Sequence, residues 1–356
     1  MPVWEELGRH CDLDVVILES PEHLERDGFR GADWIPPTIG HSFGLAYAKT
    51  IGRSRTYGPL YVLLSLNGLR LFMRDVVILG GWDQPAYWQV RLISWLLGTP
   101  TLAFYESTLE SMHHRTGPLV KARSAFFKSM AGVLTPGEAA TRAVVASGVP
   151  ATRIFEGFNA VDMNPFIRVV AETQAIPSHA GHVFIFVGQL VERKNPLLVL
   201  QAFSAIRNAE DRLLVVGEGH LRDQLKRRVH ELHLEDAVVM TGHLDMDALA
   251  AHLAHADTLV LPSSEEVWGL VVNEGLAAGC HAIVSRPCGC VPSVRGMRGV
   301  YETDVDADDL ARVMNLSRSQ WSGRIGVPEI LACTPEAFAT VIRAGITRVV
   351  EAPARS

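Results

Sequence analysis

The stretch Leu261-Pro262-Ser263-Ser264-Glu265-Glu266-Val267-Trp268-Gly269-Leu270-Val271-Val272-Asn273-Glu274-Gly275 decides how the chain around it folds. Leu261 closes an apolar run that reads as a buried strand. A polar turn and a glycine follow, and Leu270 opens a helix that stops near Gly279. Where parallel strands alternate with helices, the binding crevice opens at the strand C-termini. Each helix that starts there points unpaired backbone N–H groups and a partial positive charge into it. The backbone of Gly269, Leu270 and Val271 therefore suits an anion, most naturally a phosphate. Glu266 in the turn and Glu274 inside the helix flank that position and can accept hydrogen bonds from sugar hydroxyls. A carboxylate beside a phosphate costs energy unless hydroxyls intervene.

Outward from this corner the same alternation recurs. Strands near 182–187, 212–216, 237–241, 257–261 and 281–285 are separated by helical stretches. Upstream, Asp14 to Leu18, Val76 to Leu79, Thr101 to Tyr105 and Gly132 to Thr135 read as strands. Helices are expected at Trp4 to Arg9, Leu60 to Met73, Trp88 to Leu97, Arg123 to Ser129 and from Pro136 onward. The pattern predicts an α/β protein of two Rossmann-like βαβ domains facing across a cleft. Residues 1–165 form the first domain and 166–334 the second. The stretch from Asp162 to Gly181, with Pro165 and Pro177, reads as an irregular linker.

A chain of 356 residues is too long for one ordinary core and suits two domains of roughly 150 to 200 residues. A hydrophobic content of 48% with 20% charged residues describes a packed globular protein and excludes global disorder. The net charge of −6 argues against a nucleic-acid partner. Between Asp33 and Asp75 there is no acidic residue, while Lys49, Arg53, Arg55, Arg70 and Arg74 stand among aromatic and aliphatic side chains. Two readings of residues 49–74 stay open. One is a basic amphipathic face for peripheral contact with an anionic membrane or a lipid-diphosphate acceptor; the other is a core-covering helix with solvated arginines. Five cysteines without zinc spacing point to a reducing, cytoplasmic compartment, with peripheral contact at the inner face of the membrane left open. No uncharged apolar run reaches the length needed to cross a bilayer.

The spacing of Glu266 and Glu274, a glutamate, seven residues and a second glutamate, with Gly269 three positions after the first, resembles the donor-site motif of the family 4 retaining glycosyltransferases. Phe184-Ile-Phe-Val-Gly-Gln-Leu-Val-Glu-Arg-Lys-Asn195 resembles that family's glycine turn and basic pair. Leu213-Leu-Val-Val-Gly-Glu-Gly219 and Val239-Met-Thr-Gly242 resemble its next two strand ends, and Ala256 to Ser263 leads into the glutamate motif. Gly148-Val-Pro150 and Asn159-Ala-Val-Asp162 resemble the passage between its domains. The specificity lies in the order and spacing of these matches.

The resemblance implies a GT-B architecture. It also implies transfer of a hexose, with retention, from a nucleotide diphosphate sugar to a glycan, lipid-linked or small-molecule acceptor in polysaccharide biosynthesis, without cofactor or metal. By it, Glu274 binds the ribose hydroxyls and Glu266 a hydroxyl of the transferred sugar. Gly188 lets the backbone approach phosphate, Gly242 lies near the base, and Trp268 belongs to the donor-binding set. Lys194, Arg193 and the N–H groups around Gly269, Leu270 and Val271 would stabilise the departing diphosphate. Gln189 stands where the family often has an arginine, which shifts weight onto Lys194 and Arg193.

Glu106, Ser107 and Thr108 follow a strand where many relatives carry a histidine, and this triplet resembles a subgroup of the family. Glu106 could serve as base, as electrostatic stabiliser or only to orient the acceptor; Trp82, Asp83 and Ser107 would line the acceptor side. The helix at about 335–356 resembles the terminal helix that returns to the first domain. The opening Pro2-Val-Trp-Glu-Glu-Leu7 resembles the family's first helix, so the first strand is expected to be absent.

No carboxylate nucleophile for a double displacement stands out, which leaves a same-face route. Two other readings remain: a non-catalytic binder of nucleotide sugar or glycan, and a sugar-nucleotide epimerase on the same fold. Asp304-Val-Asp306 imitates a metal-binding pair but precedes a helix and reads as a cap. Gly217-Glu-Gly219 lacks a third glycine, Arg222 standing in its place, which argues against a nicotinamide site. His113-His114 lacks a spaced partner for a metal.

Overall fold

The computed structural model describes residues 2–18, 40–47, 53–54, 58–59, 62, 74–112, 116–173 and 181–351. The chain divides into two compact units, Met1–Asn159 with Pro335–Ser356, and Ala160–Thr334.

The first unit runs α1 (Pro2–Gly8), β1 (Asp14–Ile17), β2 (Gly44–Tyr47), β3 (Arg53–Ser54), β4 (Gly58–Pro59), β5 (Val77–Leu79), α2 (Pro85–Leu96), β6 (Thr101–Phe104), α3 (Pro118–Lys128), β7 (Gly132–Thr135), α4 (Glu138–Ala146) and β8 (Ile154–Glu156). Strands β5, β6, β7 and β8 form one parallel sheet in chain order; β1 and β2 make a separate parallel pair, and no described strand joins the two. One face of the sheet packs Val133 against Phe126, Phe127 and Val144. The other packs Leu102 and Leu134 against Leu7 and against Phe338 and Ile342 of the terminal helix Pro335–Val350. That helix sits so close that a Cβ on Gly157 would stand 2.1 Å from the Phe338 ring.

The second unit runs α5 (Asn164–Thr173), β9 (Val183–Val187), α6 (Pro196–Ile206), β10 (Arg212–Val216), α7 (Arg222–Glu231), β11 (Val238–Gly242), α8 (Met246–Leu253), β12 (Thr258–Leu261), α9 (Leu270–Ala277), β13 (His281–Ser285), α10 (Val291–Val294), β14 (Val300–Thr303) and α11 (Ala307–Gln320). Its six strands are all parallel, in the order β11-β10-β9-β12-β13-β14. The winding reverses between β9 and β12, which is where a doubly wound sheet opens its crevice. The strands are near-continuous apolar runs because both faces are covered. Phe184, Leu213 and Val260 are buried in one cluster with Phe203 of α6 and Met314 of α11.

Two expectations change, and a third falls almost wholly outside the described residues. The linker is in part a helix, α5, with Pro165 in its first turn, where the missing N–H costs nothing; residues 174–180 lie outside the described residues. The segment 49–74, including the helix expected from Leu60, lies almost wholly outside them as well. Its last basic residue, Arg74, is ion-paired with Asp12 and Asp14 and so does not belong to a free basic face. The sequence reading does not include strands β2, β3, β4, β8 and β14, short runs without the continuous apolar stretch that marks the longer buried strands.

At the N-terminal edge of the second sheet lies a closed polar chain. His182 Nε2 meets Thr258 Oγ1 at 2.8 Å, Thr258 Oγ1 meets Ser317 Oγ at 2.8 Å, and Ser317 Oγ meets His281 Nδ1 at 3.0 Å. Trp321 stands edge-on to both imidazoles. Burial drives the His182 pKa down to about 4, with Arg318 and His281 adding to the fall and Asp211 opposing it; burial lowers His281 too. Asp257 Oδ2 lies 3.8 Å from His182 Nδ1. In the unfolded chain His182 titrates near 6.5, so unfolding takes up a proton at acid pH. The stability this residue contributes is complete above pH 6.5 and is lost as pH falls toward 4. Wild-type protein should lose about 2 kcal/mol between pH 7 and pH 5 from this residue alone. His182→Gln, followed by urea unfolding at both pH values, should remove that part of the pH dependence.

Candidate functional site

Gly188 directly follows β9 and Leu261 ends β12, and these neighbouring strands deliver two loops to the same edge of the sheet. The loop after β9 makes one 3-10 turn, Glu192–Lys194, and reaches Asn195 in a left-handed conformation, φ 52°. Asn195 Nδ2 donates to the Pro262 carbonyl at 2.8 Å, and the Ser264 N–H donates to the Arg193 carbonyl at 2.8 Å. The two loops are thereby stitched together. Close backbone approach extends to β10: a Cβ on Gly217, at φ 132°, would stand 1.9 Å from the Gly188 carbonyl oxygen.

This stitching brings Lys194 against Glu266. The ammonium bonds Glu266 Oε2, with the two side chains only 12% and 15% exposed. Arg193 reaches to 4.0 Å of the same oxygen and donates to Gln189 Oε1 at 3.1 Å. Gln189 thus brings no cation of its own but orients one. The Glu266 carbonyl accepts from the Gly289 N–H at 2.9 Å, which ties the turn to the loop after β13.

Gly269 sits at φ 95°, ψ 63° as the N-cap of α9, and a Cβ there would press on Leu261 Cδ2 at 2.7 Å. Among the described residues the N–H groups of Gly269, Leu270 and Val271 have no backbone acceptor. One turn into α9, Glu274 is crowded by protein while keeping some surface, and burial pushes its pKa up to about 7. Among the described residues nothing donates to this carboxylate.

Trp268, expected among the ligand-binding residues, is instead only 4% exposed. Its indole N–H donates to Asn273 Oδ1 at 3.2 Å, and its carbonyl accepts from Cys290. It braces the start of α9 from inside. Gly242, at φ 79°, lies over the Glu218 carboxylate, which is paired with Arg222; a Cβ at Gly242 would stand 2.8 Å from Glu218 Oε1. Asn195 and Asn273 act here although the sequence reading gave them no role. Only Asn195, just before Pro196 at a helix start, carries a local sequence signal.

In the first unit the ends of β5 and β6 lie side by side. The first carries Gly80, Gly81, Trp82 and Asp83, the second Tyr105, Glu106 and Ser107. The Trp82 carbonyl accepts from the Trp88 indole at 2.7 Å, Asp83 and Glu106 are exposed, and Ser107 hydrogen-bonds the Tyr105 side chain. Protein packed around Glu106 raises its pKa even though the side chain keeps its surface. Asp306, of the pair that imitates a metal site, caps α11 through the N–H groups of Asp308 and Asp309.

Residues 174–318 match the family Glycosyl transferases group 1, so the segment that contains Lys194, Glu266, Gly269 and Glu274 is a domain of that family. The chain is 30% identical over 190 residues to the 2-deoxystreptamine glucosyltransferase of Streptomyces kanamyceticus, across 50% of this chain and 48% of that protein. It is 35% identical over 107 residues to a GDP-mannose-dependent alpha-(1-6)-phosphatidylinositol dimannoside mannosyltransferase of Mycobacterium tuberculosis, across 29% of this chain and 27% of that one. The chain spans about half or less of the length of the curated relatives it matches. The fold is that of GT-B glycosyltransferases. It is similar to the Anabaena HepE protein solved in complex with UDP, with a TM-score of 0.68 at 14% identity, covering 98% of this chain and 93% of that one.

Because Gly269 is both left-handed and in contact with Leu261, Gly269→Ala should lower stability by roughly 2 kcal/mol and turn the first N–H groups of α9 away from Lys194. Chemical denaturation checks the first effect, and amide exchange at Leu270 and Val271 the second.

Proposed function

We propose that this protein is a retaining glycosyltransferase that moves a hexose from a nucleotide diphosphate sugar to a glycan, lipid-linked or small-molecule acceptor, without a metal. The observation that carries the reading is the Glu274 carboxylate. It is crowded by protein, has no donor among the described residues, and lies one helical turn from N–H groups that have no backbone acceptor among them, at the switch point of the sheet. Ribose hydroxyls would supply the missing donors, and the diphosphate would take the N–H groups together with Lys194 and Arg193. As the sugar–phosphate bond breaks, those preorganised donors meet the charge that builds on the leaving diphosphate, usually the largest catalytic contribution.

Glu266 would hold a hydroxyl of the transferred sugar. In the resting protein it is bound to Lys194, so the diphosphate must take the ammonium over and thereby release the carboxylate for the sugar. The strand ends with Trp82, Asp83, Glu106 and Ser107 would serve the acceptor, with Glu106 orienting or deprotonating its hydroxyl. UDP in one similar structure and GDP-mannose in the name of one relative leave the base open. A phosphatidylinositol-linked acceptor, such as that relative's name gives, would bring the protein to a membrane surface; the cytoplasmic side is our expectation from its free cysteines.

Calorimetry with UDP, GDP and their sugars tests the donor reading. One nucleoside diphosphate should bind, and Glu274→Ala should abolish its binding; failure of every nucleotide to bind sinks the proposal. A ligand that donates hydroxyls to Glu274 needs the ionised carboxylate. Binding should therefore release protons and tighten roughly tenfold from pH 6 to pH 8, an increase that Glu274→Gln removes. In Glu266→Gln, freeing Lys194 should tighten nucleoside diphosphate binding about threefold to tenfold while transfer falls. Turnover of the bound donor, with the product anomer read by NMR, separates this reading from a binder that does no chemistry.

A further inference from the structure

Arg123 lies on the inner face of α3 and keeps 8% of its surface. Its Nε is enclosed and has no hydrogen-bond partner, and among the described residues the guanidinium has neither an acceptor nor a carboxylate. Its one close neighbour of note is the Trp82 ring, 5.9 Å from Cζ, and its charge is also felt by the Tyr105 hydroxyl.

Other inward-drawn arginines among the described residues are treated differently. Arg324, also drawn inward, donates to the carbonyls of Leu253, Ala256 and Ala278. Arg318 is paired with Asp211, Arg91 donates to Ser129, and Arg153 donates to two carbonyls. A guanidinium does not shed its proton to escape burial, so an enclosed and unpaired one is costly to keep.

Its position gives that cost a reason. Trp82 and Tyr105 belong to the ends of β5 and β6, which also carry Asp83, Glu106 and Ser107. Both carboxylates there are exposed and neither is paired with Arg123 among the described residues. A ligand at these strand ends would therefore meet one enclosed cation backed by aromatic rings, with carboxylates further out.

We propose that Arg123 receives an oxyanion, a phosphate or a carboxylate, carried by the acceptor. Its fork of donors matches such a group bidentately, and binding removes the unpaired charge. With the anion held there, Glu106 and Asp83 are left to the acceptor's hydroxyls, since the anion itself would be repelled by them. The assignment rests on the reading of these strand ends as the acceptor side, and it narrows the acceptor to an anionic one.

The test is calorimetry on the full chain with glycerol phosphate, glycerate and glycerol as probes, on wild type, Arg123→Met and Arg123→Lys. Wild type should bind one or both oxyanions and not glycerol; the stronger of the two tells phosphate from carboxylate. Arg123→Met should weaken that binding by about tenfold or more and Arg123→Lys by less, because the charge stays while the fork is lost. Nucleoside diphosphate binding should be unchanged in both variants.

Arg123→Met should also unfold at the same temperature as wild type or higher without ligand, and the oxyanion should raise the midpoint of wild type only. Oxyanions that bind no better than glycerol, or equally well to Arg123→Met, overturn the proposal. So does an Arg123→Met that is less stable with no change in binding, which would make Arg123 a packing residue under Trp82. Should Arg123→Met not fold, unaltered oxyanion binding by Arg123→Lys would count against the bidentate fork. Arg123-dependent oxyanion binding by a protein that takes no nucleotide would uphold this site and remove the glycosyltransferase reading instead.

Discussion

The pairing of β9 with β12 is the contact on which the glutamate motif depends. Thr258 lies opposite Phe184 and Leu259 opposite Ile185, so the loops that leave these strands emerge side by side although Lys194 and Glu266 are 72 residues apart. Apolar runs such as Val183–Val187 and Thr258–Leu261 would pack in more than one register, since every position along them is apolar or small. What specifies this one is polar. Asn195 to Pro262, Ser264 to Arg193 and Lys194 to Glu266 form a seam at the strand ends that a slipped register would break. The ion pair in that seam adds little net stability, because its desolvation roughly cancels its attraction. Its role is to fix where two loops meet, and the anion-ready start of α9 is placed by the same seam.

That distinction explains what could be read from the sequence. The spacing of Glu266, Gly269 and Glu274 is local, and a helix start with glycine at its cap announces itself within fifteen residues. The five strands around it were legible for the same reason. Trp268 enters the donor-binding set through the family resemblance alone, and the sequence gives no sign that it is buried. Its position inside is set by Asn273 and by the backbone of Cys290 on another loop, and sequence proximity shows neither contact. Pro165 reads as a break from sequence because proline usually is one, yet in the first turn of α5 it is neutral. Arg123 was invisible as a special residue: an arginine in an apolar helix normally carries its charge out to water, and only the packed structure shows that this one does not.

A parallel sheet also separates two kinds of polar residue by direction alone. All strands of the second unit start at one edge, where His182, Thr258 and His281 stand at or just before the first positions of β9, β12 and β13. There every polar group closes onto another, through Ser317, and the result is a cap that titrates only with loss of stability. At the opposite edge α9 begins, and among the described residues its first N–H groups lack backbone acceptors and Glu274 lacks a donor. One sheet thus carries a satisfied polar edge and an unsatisfied one, less than thirty residues of chain apart at every crossing.

Unsatisfied groups of this kind are informative because the chain resolves so many others. Asp211 accepts from two backbone N–H groups as well as Arg318, and Arg324 donates to three carbonyls. A sequence able to do this for groups away from the C-terminal strand ends had the means to pair Arg123 and Glu274 as well. Both instead sit near the C-terminal ends of parallel strands, the edge at which α/β sheets receive their ligands. Burial without a partner is unfavourable for each of them in isolation, and it becomes favourable once a ligand brings the opposite hydrogen-bonding character. The two groups are complementary in sign, so they call for different parts of a substrate: hydroxyl donors at Glu274, an oxyanion at Arg123.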